Sequence, residues 1–229
     1  IKEKQLPERD FEYEAKKLAE KLEETKKHSI KLEYVPAIKK PINYEPNIIE
    51  ATKKGLYESV QWLSEKEKAD TNVKTKNMMT LLHIAAKKGH LKIVQFLVEK
   101  CRADVEAHDS SKKTPIHYAA MGGYFEIIQY LHEQHKGNVE AKDEDSYTPL
   151  HYAAYYNKIS VIRYLVEECR VNTEPKTYTG MTPLQYAIQY ASLDVVKYFV
   201  EDCSVSFTKD DIIKASKSQI SKYLKSKLM

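Results

Sequence analysis

One short pattern returns at a constant interval of 34 residues, and this interval restricts the chain to a repetitive architecture. The pattern reads Thr-Leu-Leu-His, Thr-Pro-Ile-His, Thr-Pro-Leu-His and Thr-Pro-Leu-Gln, and its four copies begin at Thr80, Thr114, Thr148 and Thr182. Other columns keep the same step, among them Ala85, Ala119, Ala153 and Ala187, and Leu97, Leu131, Leu165 and Phe199. A unit this small cannot bury its hydrophobic faces alone, so successive units are expected to stack into a solenoid.

Each unit reads as two short helices followed by a link. Thr114 suits an N-cap, and Pro115 suits the first helical position, where its missing N–H costs nothing. Gly122 and Gly123 end this first helix, and the apolar stretch through Leu131 predicts a second one. The residues that follow are expected to form an extended turn to the next unit. The sequence therefore predicts an all-α fold.

Several of these residues are typical of a known family. The Thr-Pro-Leu-His-x-Ala-Ala pattern, the Gly89-His90 pair and the Ala-Asp-Val-Glu-Ala stretch at 103–107 resemble ankyrin repeats. The resemblance covers residues 47–229 and implies an ankyrin-repeat solenoid of helix-turn-helix units with β-hairpin-like links. It divides this part of the chain into a half-repeat at 47–78, repeats at 79–112, 113–146, 147–180 and 181–208, and a C-terminal cap at 209–229.

The chain departs from the family pattern in two ways. Its unit is one residue longer than the usual 33, near the end of the second helix at residues 100–102. The glycine usual at the hairpin is present only as Gly180, while Met78, Lys112 and Ser146 take its place elsewhere. Because glycine most readily adopts positive φ, we expect these three hairpin tips to deviate from the family geometry.

Residues 1–46 lie outside the repeat pattern. An N-terminal helix is predicted after Pro7, where acidic residues occupy the favourable first turn, with an apolar stripe at Phe11, Leu18 and Leu22. The rest is interrupted by Pro36, Pro41 and Pro46. We expect an amphipathic helix and an extended strap, with the stripe docked on the solenoid or on a partner.

Three histidines are the first candidates for catalysis. His83, His117 and His151 recur one per unit, and the resemblance implies that they connect neighbouring hairpins through hydrogen bonds. Catalysis needs groups that converge within hydrogen-bond distance, whereas a repeating column keeps like residues apart. No pairing of a nucleophile with a base is evident, so no enzyme and no cofactor are predicted.

The cysteines also share one column. Cys101, Cys169 and Cys203 hold equivalent positions, with His135 in the second repeat. Stacked helices lie ~8–10 Å apart, whereas zinc ligands lie ~2.0–2.3 Å from one shared metal, and a disulfide needs Cα atoms within ~7 Å. We therefore expect reduced structural thiols and no metal site.

Two charged segments have a functional and a structural interpretation. Asp143 to Asp145 has the opening spacing of a calcium loop but lacks its glycine and closing glutamate, so a solvated hairpin tip is favoured. The lysine-rich tail at 209–229 could bind phosphate or an acidic surface. Its apolar members instead suit a terminal cap, which we favour; they are Ile212, Ile213, Ala215, Ile220 and Leu224.

Composition excludes several classes of protein. The chain has 37 basic and 33 acidic residues, a net charge of +4 that the tail at 209–229 accounts for by itself. Nucleic-acid binding is thus disfavoured, because it would need a basic stripe on the folded body. No apolar run approaches the ~20 residues of a membrane helix, and no secretory leader is visible. We expect a cytoplasmic protein, with cytoskeletal association as an option.

The resemblance also implies where a partner would bind. In the ankyrin family, hairpin tips and the outward side of the first helix line a concave face that usually meets the partner. Carried over position by position, the candidate residues are Lys113, Met121, Glu144, Asp145, Tyr147, Tyr155, Tyr156, Tyr178, Met181, Gln189 and Tyr190. Tyrosine is enriched at binding hot spots, and five of these residues are tyrosines. An open alternative is that the strap at 29–46 covers this groove.

The predicted function is protein–protein recognition, as a binding module or a scaffold subunit. The alternative is a structural component of a stable cytoskeletal or other large assembly, anchored through residues 1–46. The pattern names neither the partner nor the pathway.

Overall fold

The structure is a computed structural model that describes residues 39–190, 192–215 and 218–228. The predicted N-terminal helix, with its stripe at Phe11, Leu18 and Leu22, and strap residues 29–38 lie outside the described residues. Residues 40–229 group into one compact unit.

This unit is built from twelve α-helices, and its described residues contain no β-strand. The helices are α1 (Ile48–Lys54), α2 (Tyr57–Glu65), α3 (Leu81–Lys88), α4 (Leu91–Glu99), α5 (Pro115–Gly122), α6 (Phe125–Gln129), α7 (Pro149–Tyr155), α8 (Ile159–Arg163), α9 (Pro183–Tyr190), α10 (Leu193–Lys197), α11 (Lys209–Lys214) and α12 (Ser218–Lys227). They follow one another in pairs, as the repeat predicts.

The first helix of a repeat begins and ends as its sequence indicates. At α3, the Thr80 hydroxyl accepts from the His83 amide while the His83 imidazole accepts from the Thr80 amide, which forms a capping box. Gly89 ends the helix with a left-handed φ of 80° and donates to carbonyls of the last turn. The same capping box recurs at α5 and α7.

The core runs along the stack as continuous columns. First helices pack on one another from α3 through α5 and α7 to α9. The alanine column lies between them with no solvent exposure at Ala85, Ala119, Ala153 and Ala187. Leu131 in the second-helix column is likewise fully buried. Small side chains therefore allow close approach of the first helices, and large ones fill the space behind them.

The extra residue of each unit is found in a wide turn at the end of the second helix. α6, α8 and α10 each continue as a π-helical turn, at Tyr130–Gln134, Tyr164–Glu168 and Tyr198–Asp202. In the first repeat, the Cys101 amide donates to the Phe96 carbonyl five residues back. A turn closed over five residues takes up one residue more than an α-helical turn. The location predicted for the insertion is confirmed.

The tyrosine that begins each of the three π-helical turns bonds back to the preceding repeat. The Tyr130 hydroxyl donates to Glu99 at 3.0 Å, and Tyr164 donates to Glu133 at 3.2 Å. Tyr198 and Glu167 repeat the bond at 3.0 Å. Burial, then the Glu99 carboxylate, raises the pKa of Tyr130 to about 12, so its hydroxyl stays a donor. These bonds connect successive second helices.

The hairpin tips share one geometry whether or not they contain glycine. The Asp109 amide donates to the Lys113 carbonyl, and the Lys112 amide donates back to the Asp109 carbonyl, both at 3.1 Å. The residue in the glycine position has positive φ at all four hairpin tips: 59° at Met78, 60° at Lys112, 64° at Ser146 and 80° at Gly180. The predicted deviation of the tips is therefore wrong, because paired backbone hydrogen bonds hold each turn closed despite the strain of a side chain there.

Both ends of the unit are covered. Near the N-terminal end, the Tyr44 hydroxyl donates to Glu67 at 2.8 Å, and the Glu45 amide donates to the Ser59 hydroxyl at 3.3 Å. At the other end Ile212, Ile220 and Leu224 of the predicted cap are buried. Ile213, another apolar member of the predicted cap, is 80% exposed, since no further first helix follows it within the described residues.

Candidate binding face

Hairpin tips of neighbouring repeats are joined directly through their backbones. The Ser110 amide donates to the Asn77 carbonyl at 3.0 Å, and the Glu144 amide donates to the Ser111 carbonyl at 3.0 Å. The Tyr178 amide completes the row by donating to the Asp145 carbonyl at 2.9 Å. The tips therefore form one connected edge. We use the name binding face for the surface made of this edge and the exposed ends of α3, α5, α7 and α9.

Buried histidines set the position of each hairpin. The Nε2 atom of His83 lies 2.9 Å from the Lys113 carbonyl oxygen, and that of His151 lies 3.2 Å from the Met181 carbonyl oxygen. Their Nδ1 atoms accept from Thr80 and Thr148, so Nε2 carries the proton and donates. Burial lowers the pKa of His151 to about 4. The structural role implied for this column is confirmed.

Buried aspartates hold the hairpin tips of the first and second repeats. The Asp143 carboxylate accepts from the Tyr147 amide at 2.9 Å and from the Tyr152 hydroxyl at 2.6 Å, and it pairs with Lys113 Nζ at 3.5 Å. Asp109 accepts in the same way from the Tyr118 hydroxyl. The Asp143 oxygens are thus committed to the hairpin, which agrees with a hairpin tip and not with a calcium loop.

The hairpin tip of the third repeat breaks this rule, and a cluster of tyrosines results. Thr177 stands in the aspartate position, so the Tyr186 hydroxyl bonds instead to the Tyr147 hydroxyl at 2.5 Å. The two rings lie 5.3 Å apart, and Tyr147 also stacks on Tyr152 at 5.2 Å. The predicted face residue Tyr147 is consequently half-buried and contributes to packing as well as to the surface.

Three further tyrosines extend this cluster into solvent. The rings of Tyr155 and Tyr156 lie 4.8 Å apart, and those of Tyr155 and Tyr190 lie 4.6 Å apart. The exposed fractions are 36% for Tyr155, 47% for Tyr156 and 52% for Tyr190. We define the tyrosine cluster as Tyr147, Tyr152, Tyr155, Tyr156, Tyr186 and Tyr190. It borders a shallow pocket of about 270 Å³.

The other predicted face residues lie around this cluster. Asp145 lines the same pocket, and Glu144 beside it is exposed. Tyr178 is at the next tip, 86% exposed, and is not in ring contact with the cluster. The remaining candidates are half-buried: Lys113, Met121, Met181 and Gln189.

A second pocket on the binding face was not predicted. It measures about 240 Å³ and is lined by Lys53, Thr75, Met79, Ile84, Lys87 and Lys88. The lysine pair Lys87-Lys88 is the sequence signal that could have indicated it, because it occupies the positions that hold Tyr155 and Tyr156 two repeats later.

The cysteines form no site. Cys101, Cys169 and Cys203 are free thiols. Burial makes the largest contribution to the raised pKa of Cys169 and Cys203. Across the ranges that the structure describes, no three His, Cys, Asp or Glu side chains converge as metal ligands. No helix in the same ranges combines the length and apolarity needed to cross a membrane.

Comparison with known proteins agrees with the repeat pattern. A family model described as ankyrin repeats, in three copies, matches residues 48–143 and 123–211. A search of curated proteins found no match to the chain.

Proposed function

Since this chain belongs to the ankyrin repeat family, we propose that it recognises a protein partner through its binding face, with the tyrosine cluster at the centre of the interface. Ankyrin repeats are in general protein–protein interaction modules, and proteins that contain them are typically non-enzymatic. The finer proposal concerns the location of the interface on this chain.

The exposed tyrosine rings are the observation that supports this location. Tyr155, Tyr156 and Tyr190 leave between a third and a half of their surface in solvent, although each is held by neighbouring rings. Such rings offer a large contact area at low cost in conformational entropy, since they are already ordered before binding. At equivalent positions the first repeat carries Lys87 and Lys88, so the fold itself does not require tyrosine there.

Site-specific photo-crosslinking tests the proposal. A benzophenone amino acid is placed at Tyr156 or Tyr190, and for comparison at Lys92 or Glu126, which are exposed on second helices. After irradiation in native extract, we expect the same protein to be captured from positions 156 and 190 and not from the two comparison positions. Capture from Lys92 or Glu126 alone would place the interface elsewhere on the solenoid.

A further inference from the structure

The two pockets of the binding face occupy the same position in repeats that are two units apart. Met79, Ile84, Lys87 and Lys88 line one pocket, and Tyr147, Tyr152, Tyr155 and Tyr156, each 68 residues later, line the other. We call them the lysine pocket and the tyrosine pocket. Equivalent positions in one solenoid face the same way, so a single elongated ligand can reach both.

The lysine pocket carries positive charge that is not neutralised by the protein. Lys87 and Lys88 are exposed, and neither forms an ion pair with any of the described residues. Lys53 on the rim is paired with Glu50 at 2.7 Å. The floor is apolar, formed by Met79 and Ile84. This combination suits an acidic side chain on a segment whose neighbouring residues are apolar.

The tyrosine pocket has the opposite character. Asp145 lines it and Glu144 lies beside it, and within the described ranges neither carboxylate has a cationic partner. The Lys113 ammonium pairs with Asp143 at 3.5 Å and lies 5.9 Å from the Tyr152 ring centroid. Carboxylates beside exposed tyrosine faces favour a lysine or arginine side chain through ionic and cation–π attraction.

The repeat between the pockets contributes no charge from its first helix. Met121 and Gly122 of α5 stand where the flanking repeats have their lysine and tyrosine pairs. Helices packed at ~8–10 Å place equivalent positions two repeats apart at roughly 16–20 Å. An extended peptide advances about 3.3 Å per residue, so five or six residues cover this separation.

We propose that the partner presents an extended segment in which an acidic residue and a basic residue lie five or six positions apart, the acid in the lysine pocket and the base in the tyrosine pocket. This inference rests on the proposed function and specifies its ligand. The charge order of the segment then determines the direction in which it lies along the solenoid.

Labelled peptides test the pairing of the two charges directly. Two carry Glu-Glu and Arg-Arg separated by four Gly/Ser residues, in the two possible orders, and two carry only one of the charged pairs. Binding to the full chain is measured by fluorescence anisotropy and by NMR shift perturbation at low salt. We expect both two-pair peptides to bind, in opposite directions along the solenoid, at least tenfold tighter than either single-pair peptide.

Charge-reversal variants assign the two ends. Lys87→Glu/Lys88→Glu and Glu144→Lys/Asp145→Lys should each weaken the binding of both two-pair peptides at least fivefold. The matched control Lys92→Glu/Lys100→Glu changes the net charge by as much as the first variant, on exposed positions of the second helix and its end, and should leave binding unchanged. Melting curves confirm that each variant is folded.

Equal binding of the two-pair and single-pair peptides, no detectable binding, or equal loss in the control variant would overturn the inference. The proposed function has a separate test, because a partner can crosslink at Tyr156 whatever its charge pattern. Crosslinking without any advantage of the two-pair peptides would therefore refute the inference alone, and absence of crosslinking would refute the proposed function.

Discussion

The Nε2 atom of His117 lies 3.1 Å from the carbonyl oxygen of Tyr147, thirty residues further along the chain, and connects one repeat to the hairpin of the next. The Thr114 amide donates to the other ring nitrogen at 3.1 Å. The two contacts can be made together only by the neutral imidazole, because a protonated Nδ1 would face the Thr114 N–H with a second hydrogen. Each repeat is therefore joined to its successor by a group that titrates.

Acid should destabilise the protein through this column. Burial lowers the pKa of His117 to about 4, whereas an unfolded histidine titrates near ~6.5. Between these values the unfolded chain binds more protons, so the stability present above pH ~6.5 is lost as pH falls towards ~4. Urea denaturation at a series of pH values measures the free energy of unfolding that shows this loss.

The fourth repeat supplies the control for that prediction. Gln185 occupies the histidine position there, accepts from the Thr182 amide and donates to Asp211 at 2.9 Å. His117→Gln should therefore keep both hydrogen bonds and reduce the loss between pH 7 and pH 4 by about 2–3 kcal/mol. A pH dependence identical to that of the native protein would show that His117 is not the titrating group.

Truncation of the core column should affect more than one repeat. Leu131 is fully buried in the central stack, so Leu131→Ala is expected to cost ~2–5 kcal/mol of stability. Since repeats are stabilised by their nearest neighbours, amide exchange should accelerate in the adjacent repeats too. An unchanged melting curve would contradict the position of Leu131 in the core.

Glycine at a strained hairpin tip should increase the stability of the protein. Lys112 of the first repeat has a φ of 60° in the position that Gly180 fills in the third repeat. Lys112→Gly is expected to stabilise the protein by about 0.5–1 kcal/mol, the relief of left-handed strain less the added freedom of the unfolded chain. Gly180→Ala should have the opposite sign, and since no atom lies within 4 Å of the added Cβ, backbone strain would be its cause.

Tyrosine substitutions should separate binding from stability. Once the partner is identified, Tyr155, Tyr156 and Tyr190 are each changed to alanine, and at least one change should weaken binding by ~2 kcal/mol or more without altering the melting temperature. Tyr147→Ala is expected to lower both, because Tyr147 is bonded to Tyr186, and Tyr147→Phe isolates the hydroxyl. Calorimetry and thermal melts measure the two effects, and four neutral results would move the interface away from the cluster.

The last residues of the strap should contribute to the stability of the compact unit. Tyr44 and Glu45 hydrogen bond to Glu67 and Ser59 of the half-repeat, so they behave as part of the compact unit. Removal of residues 1–46 is expected to lower the melting temperature below that of the chain that lacks only residues 1–39. Equal melting temperatures for the two truncated chains would show that these contacts add no stability.

The repeated columns were predictable because each residue has three or four copies under the same physical constraint. Thr114 and His117 are examples: capping and the hydrogen bond to the next hairpin follow from a spacing that the sequence displays directly. The extra residue near the end of the second helix was also located correctly, although its π-helical form was not evident from residue types.

Features that occur once were harder to predict. The bond between Tyr147 and Tyr186 exists because Thr177 replaces an aspartate, and periodicity alone does not show which side chain takes over an unused donor. The lysine pocket depends on the lengths of side chains from two repeats, which a position-by-position transfer does not describe. The effect of a missing glycine at Met78 was also overestimated from the sequence. Backbone hydrogen bonds between neighbouring residues hold that turn at positive φ, and residue types alone do not show them.

The wide turn and its tyrosine also determine which segments can replace one another. The Tyr164 hydroxyl donates to Glu133 from the π-helical turn that takes up the extra residue, so we expect this contact to depend on the 34-residue length. Units whose π-helical turn begins with tyrosine could be duplicated or exchanged for one another, and the hydroxyl would again meet a carboxylate; the first repeat has Phe96 at this position and lacks the hydroxyl. A 33-residue unit grafted between them would stack its first helix and leave that carboxylate without its donor. Repeats of this chain are therefore expected to be exchangeable with other 34-residue units and not with shorter ones.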